Sequence, residues 1–171
     1  MKIKRNQLLI SLLATGFSIG IIYTSIVKPE VKIFNMEVLE YVKNFKIVYD
    51  EYIVFIMKER VGMLLLVIFV GQVYWKRIYA CLLTVIIGIV FGSIISMAGY
   101  SMSLKGVFLC VIGMFPHAIF YGISYWILVC HWMNNKVGDW RKSKVLGILI
   151  FMSLGILSEV YVNSFLLKIF L

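Results

Sequence analysis

Between Leu8 and Val27 the chain runs for twenty residues without a charged side chain, with Lys2, Lys4 and Arg5 before the run and Lys28 after it. As a helix this stretch is about 30 Å long, the thickness of a bilayer's hydrocarbon layer. Charge-poor apolar runs recur at 61–75, 78–97, 106–132 and 145–171. A soluble core built from 171 residues cannot hide the side chains of a sequence that is 62% apolar and 15% charged, so lipid has to solvate the surplus. The expected fold is therefore all-α: a single polytopic membrane domain over 1–171, a transmembrane helical bundle of about five spans. A basic start before an apolar run also describes a secretion signal. This run is longer than a signal core, however, and no A-x-A-like site precedes Lys28-Pro29-Glu30, so it reads as a retained anchor.

The one long polar segment, 28–60, carries six basic and six acidic residues and is neutral. From Val38 onward its apolar residues recur at helical spacing through Tyr41, Phe45, Tyr49, Tyr52 and Phe55, with Glu37, Glu40, Lys43, Lys46 and Asp50 opposite. Asn35 is a plausible N-cap. An outer amphipathic helix of this kind lies in the membrane interface, covers the chain's own bundle, or packs on a partner protein through Tyr41, Phe45 and Tyr49. Further on, Lys76-Arg77 makes a tight turn, 98–105 is a short polar loop, and 133–144 is a charged loop. Pro116 interrupts 106–132, and because proline lacks a donor and clashes with the preceding turn, a break is expected there. That leaves open whether this segment crosses the membrane or re-enters.

Orientation follows from the basic residues. Segments 1–7, 76–77 and 133–144 together hold nine Lys or Arg against one acid, which places them on the cytoplasmic side, the N-terminus inside and the C-terminus outside. The net charge of +9 is therefore spent at span ends rather than on a basic face with interleaved aromatics, which argues against a nucleic-acid partner. Cys81, Cys110 and Cys130 lie in or beside apolar runs without C-x-x-C spacing and read as small packing residues.

Three features invite a functional reading. Gly88 and Gly92 form a G-x-x-x-G, which lets another backbone approach closely, either within the chain, the favoured alternative, or in a second copy. His117 follows Pro116 at membrane depth. With no Asp or Glu nearby in sequence and no aligned nucleophile, it is expected to satisfy carbonyls freed by the proline rather than to catalyse or bind metal. Glu159 is the only acid inside an apolar run, with Asn163 one turn on. A lone intramembrane carboxylate can mark a proton or ion path, so a small transporter or channel subunit using Glu159 and His117 is an alternative. The favoured expectation is a hydrogen-bonded structural role with Asn163 and Tyr161. No catalytic residue, metal site or cofactor is expected.

Several of these stretches resemble, in order, the stage II sporulation protein M family: Gly88-Ile-Val-Phe-Gly92, then Leu104-Lys105-Gly106 with its apolar tail, then Pro116-His117, and the closing Glu159-Val-Tyr161-Val-Asn163. The chain departs from that pattern in Trp75-Lys76-Arg77, where an apolar Gly- and Pro-containing turn is usual, and in Ser164, where proline is usual. The resemblance implies a non-enzymatic membrane scaffold that holds peptidoglycan-degrading proteins at the membrane during engulfment. Short relatives are similar to accessory proteins of circular bacteriocin export, maturation or immunity, an alternative with the same architecture. The partners so implied are membrane lipids and other membrane or extracytoplasmic proteins.

Overall fold

Inside a bilayer each backbone N–H and C=O must be paired by its own segment, and a continuous helix does this. The computed structural model describes residues 2–27, 49–71, 75–133 and 142–170, and its regular structure there is entirely helical. Helix α1 covers Lys2–Val27, α2 Tyr49–Val70, α3 Lys76–Met133 and α4 Lys142–Leu157; a wide, π-type turn over Ser158–Asn163 leads into α5, Ser164–Phe170. Among the described residues, three stretches are long and apolar enough to cross a membrane: Arg5–Val27, Lys76–Met133 and Lys142–Leu166. Helix α2 is 22 residues long but carries Lys58, Glu59 and Arg60 near its centre. Most of the expected outer amphipathic segment, with Asn35, Tyr41 and Phe45, lies outside the described residues. Tyr49 opens α2, which runs unbroken through the boundary expected at residue 60.

The chain divides into two compact units, one comprising α1 and 78–111, the other α2 to Arg77 with 112 onward. In the first, α1 and the start of α3 touch backbone to backbone. A Cβ at Gly16 would collide with the Val85 carbonyl, and one at Gly20 with that of Ile89. Reciprocally, a Cβ at Gly88 would meet the Leu13 carbonyl and one at Gly92 that of Phe17. Both sets of pairs ascend together along the two helices, so α1 and this part of α3 run parallel. The neighbour of Gly88 and Gly92 is thus within the chain, and it answers with a second G-x-x-x-G, Gly16 to Gly20, not singled out in the sequence. The Ser93 hydroxyl adds a 3.4 Å hydrogen bond to the Gly20 carbonyl.

As a straight rod the 58-residue α3 would be roughly 87 Å long, nearly three hydrocarbon thicknesses. It does not run straight. Met102 and Ser103 leave the helical region, Ser103 at φ 56°, and divide it into two arms. The arms fold back sharply enough that a Cβ at Gly106 would strike the Ala98 carbonyl. That close approach explains the glycine of Leu104-Lys105-Gly106, while Leu104 and Lys105 are themselves exposed. The chain thus turns within the expected polar stretch 98–105, which is helical except at these two residues, and the break expected at Pro116 does not occur.

In the second unit, the later arm of α3 packs antiparallel to α4: Lys144 meets His131, the Ser124 hydroxyl reaches the Ile148 carbonyl, and a Cβ at Gly155 would enter the Tyr121 ring. Helix α2 runs parallel to that arm, Arg60 beside Tyr121 and Gly71 beside Trp132. Leu64, Val67, Leu128, Met152, Ile156 and Val160 are buried between them. Of the cysteines, Cys110 is buried and Cys81 and Cys130 are half-buried, and these three form no disulfide.

Candidate functional site

Polar side chains gather at one level of the second unit. The π-type turn sets it up, because widening the helix changes which residues face inward. Glu159 and Asn163 are buried, whereas Tyr161 is turned outward and stacks on Tyr49, ring centroids 5.5 Å apart and planes 12° from parallel. Gly155, one turn before Glu159, leaves room for Tyr121 to lie on α4.

Glu159 accepts three hydrogen bonds. Arg60 donates two in a fork, Nε to Oε2 at 3.0 Å and Nη2 to Oε1 at 2.5 Å, and the Tyr121 hydroxyl donates to Oε2 at 2.6 Å. The guanidinium also stands 5.3 Å from the centre of the Tyr121 ring, within cation–π range. A planar fork matches a carboxylate in both spacing and charge, so the pair is close to neutral as seen from outside. Arg60 keeps 36% of its side chain exposed and Glu159 only 9%, so the carboxylate bears most of the desolvation.

The second half of the cluster lies beside the proline. Helix α3 continues through Pro116 without leaving helical dihedrals, although the ring removes a donor and crowds the preceding turn. The Asn163 amide donates to the Gly113 carbonyl, one turn before His117, and its other hydrogen reaches His117 Nδ1 at 2.6 Å. The carbonyl left without its helical donor by Pro116 is that of Ile112, and Asn163 bonds the next one along, Gly113, beside the proline. The opposite amide orientation would set a carbonyl against two acceptors, so the hydrogen bonds fix it. Asn163 Oδ1 and the Ser158 hydroxyl are buried without a partner among the described residues. Accepting from Asn163 at Nδ1 leaves the ring proton of neutral His117 on Nε2. His117 also meets Tyr121 edge to face, centroids 5.7 Å apart.

The sequence-derived candidates are therefore partly brought together. Pro116, His117, Glu159 and Asn163 share this cluster, and Tyr161 with Tyr49 closes its flank. Gly88, Gly92, Leu104, Lys105 and Gly106 belong to the other unit. Two expectations are corrected in detail. His117 bonds the Asn163 amide rather than a backbone carbonyl, and Glu159 bonds to Arg60 and Tyr121 rather than to Asn163 and Tyr161. Arg60 and Tyr121 were missed. A lone acid in an apolar run calls for a cation, and Arg60, immediately before the apolar run at Val61, was the signal available. Among the described residues no three of His, Cys, Asp and Glu are grouped to hold a metal ion. Comparison with protein-family models, with curated proteins and with solved structures finds no match.

Proposed function

We propose that this chain is a non-enzymatic, multi-pass membrane scaffold of the stage II sporulation protein M type. On this reading it crosses the membrane five times, through α1, α2, the two arms of α3, and α4 with its extension, with a cytoplasmic N-terminus. It anchors partner proteins of a peptidoglycan-remodelling complex through the segment that leads into Tyr49. The observation that carries the proposal is the Arg60–Glu159–Tyr121 cluster. The one acid of the last apolar run is committed to a forked pair that ties α2, α3 and α4 together, so the titratable residues of the resemblance act as architecture. A transport role for Glu159 and His117 asks for a charge that changes partner during turnover, and this carboxylate is already saturated by three donors.

Supporting the five-span arrangement, α1 runs parallel to the first arm of α3 and α4 runs antiparallel to the second. Both relations are required if the basic segments at 1–7, 76–77 and 142–144 share one side. The test is photocrosslinking in the native cell from Tyr41, Phe45 and Tyr49. Capture of peptidoglycan-cleaving proteins is the expected result. Capture of a small apolar bacteriocin precursor or its exporter would replace the sporulation assignment with the bacteriocin one. Cysteine accessibility at Ser103, Asn134 and the C-terminus tests the topology, with Ser103 and the C-terminus expected to label from outside and Asn134 from inside.

A further inference from the structure

The opposite end of the second unit collects positive charge. There, Gly71 at the end of α2 lies against the Trp132 ring, and Lys144 Nζ stands 3.5 Å from His131 Nδ1. These two contacts bring the end of α2, the end of α3 and the start of α4 to one place. Lys76 and Arg77 follow Gly71 within six residues, and Lys142 and Lys144 open α4. Among the described residues none of these four cations has a carboxylate partner. Neither helix has an acid in its first turn, where the macrodipole favours one and disfavours Lys or Arg. Beside the cations Trp75 is 68% exposed, an amphipathic ring of the kind that settles at headgroup level.

We propose that this basic end holds the phosphate of an anionic phospholipid, with Lys76, Arg77, Lys142 and Lys144 around the headgroup and Trp75 against its glycerol region. Cations without a carboxylate partner among the described residues, beside an exposed tryptophan, match a ligand that is negative at one end and oily at the other. A free anion supplies only the first property. The proposal rests on the chain being membrane-resident but is independent of the scaffold role.

Native mass spectrometry of the detergent-purified full chain, titrated with phosphatidylglycerol or with phosphatidylcholine of the same acyl chains, tests it. Each cation near a headgroup contributes roughly a factor of five in affinity. The expected result is a preference for phosphatidylglycerol of about tenfold or more, abolished by the combined Lys76→Gln, Arg77→Gln, Lys142→Gln and Lys144→Gln changes and kept by Lys58→Gln in the middle of α2. If the fourfold variant is not recovered folded, the pairs Lys76→Gln/Arg77→Gln and Lys142→Gln/Lys144→Gln are each expected to weaken the preference. Equal retention of both lipids by the wild-type chain, or an undiminished preference in both paired variants, overturns the proposal. So does displacement of the lipid by millimolar inorganic phosphate, which identifies a free-anion site. A wild-type chain that remains in the membrane fraction yet shows no lipid preference overturns this proposal alone.

Discussion

Arg60 and Glu159 stand 99 residues apart in the chain and meet in a two-point fork, with the Tyr121 hydroxyl closing the remaining side of the carboxylate. Three helices are thereby pinned at one level by a single acid. In apolar surroundings such a pair is hard to break by halves, because removing either partner strands the other without water to replace it.

Asn163 is expected to be a second pin. Asn163→Ala deletes both donors at once, leaving His117 Nδ1 without a donor and the Gly113 carbonyl with only its helical partner. A loss of about 1–3 kcal/mol follows if neither group finds a substitute. Thermal unfolding of the purified protein in detergent reads it out. An unchanged transition would mean that these two bonds do not help to hold the helices together.

The glycine clasp of the first unit makes a sharper distinction. Gly20→Leu drives a side chain into the Ile89 carbonyl and is expected to cost about 1–3 kcal/mol or to separate the helices. Gly62, where an added Cβ would meet nothing within 4 Å, serves as the control. There Gly62→Ala is expected to stabilise by roughly 0.5–1 kcal/mol through helix propensity. Comparable losses in both would show that the clasp is not what holds α1.

Ser103 sits where a side chain is costly. At φ 56° and ψ −140° its backbone occupies a region favoured by glycine. Ser103→Gly is accordingly expected to raise stability by about 1 kcal/mol and Ser103→Val to lower it, both followed by the same unfolding measurement. A neutral Ser103→Val would relocate the turn.

How much of this was legible beforehand differs by residue, for physical reasons. The apolar runs were plain, because a bilayer imposes a minimum length and excludes charge over it. Gly88 and Gly92 were also readable, since lipid offers helices little reason to pair except close packing. The turn was readable as a polar stretch over 98–105, within which the chain does fold back, although nothing local picks out Met102 and Ser103. The break expected at Pro116 does not occur, and Asn163, 47 positions later in the numbering, donates to a carbonyl beside it. The fork between Arg60 and Glu159 was hidden for a related reason. Local periodicity reports a residue's neighbours along a helix and says nothing about which other helix it will face. The widened turn at Ser158–Asn163, which parts Tyr161 from Glu159 and Asn163, likewise depends on the packing around it.

A double-mutant cycle on Arg60 and Glu159 tests the central claim most directly, reading both protein abundance in the membrane and unfolding temperature in detergent. The account predicts that Glu159→Gln and Arg60→Gln each lower both, by roughly 2–4 kcal/mol given the partial exposure of Arg60. The double variant should recover a substantial part of that loss, because neither charge is then left alone. Wild-type abundance and stability in Glu159→Gln, with function abolished, would contradict it and identify Glu159 as a working carboxylate rather than a brace.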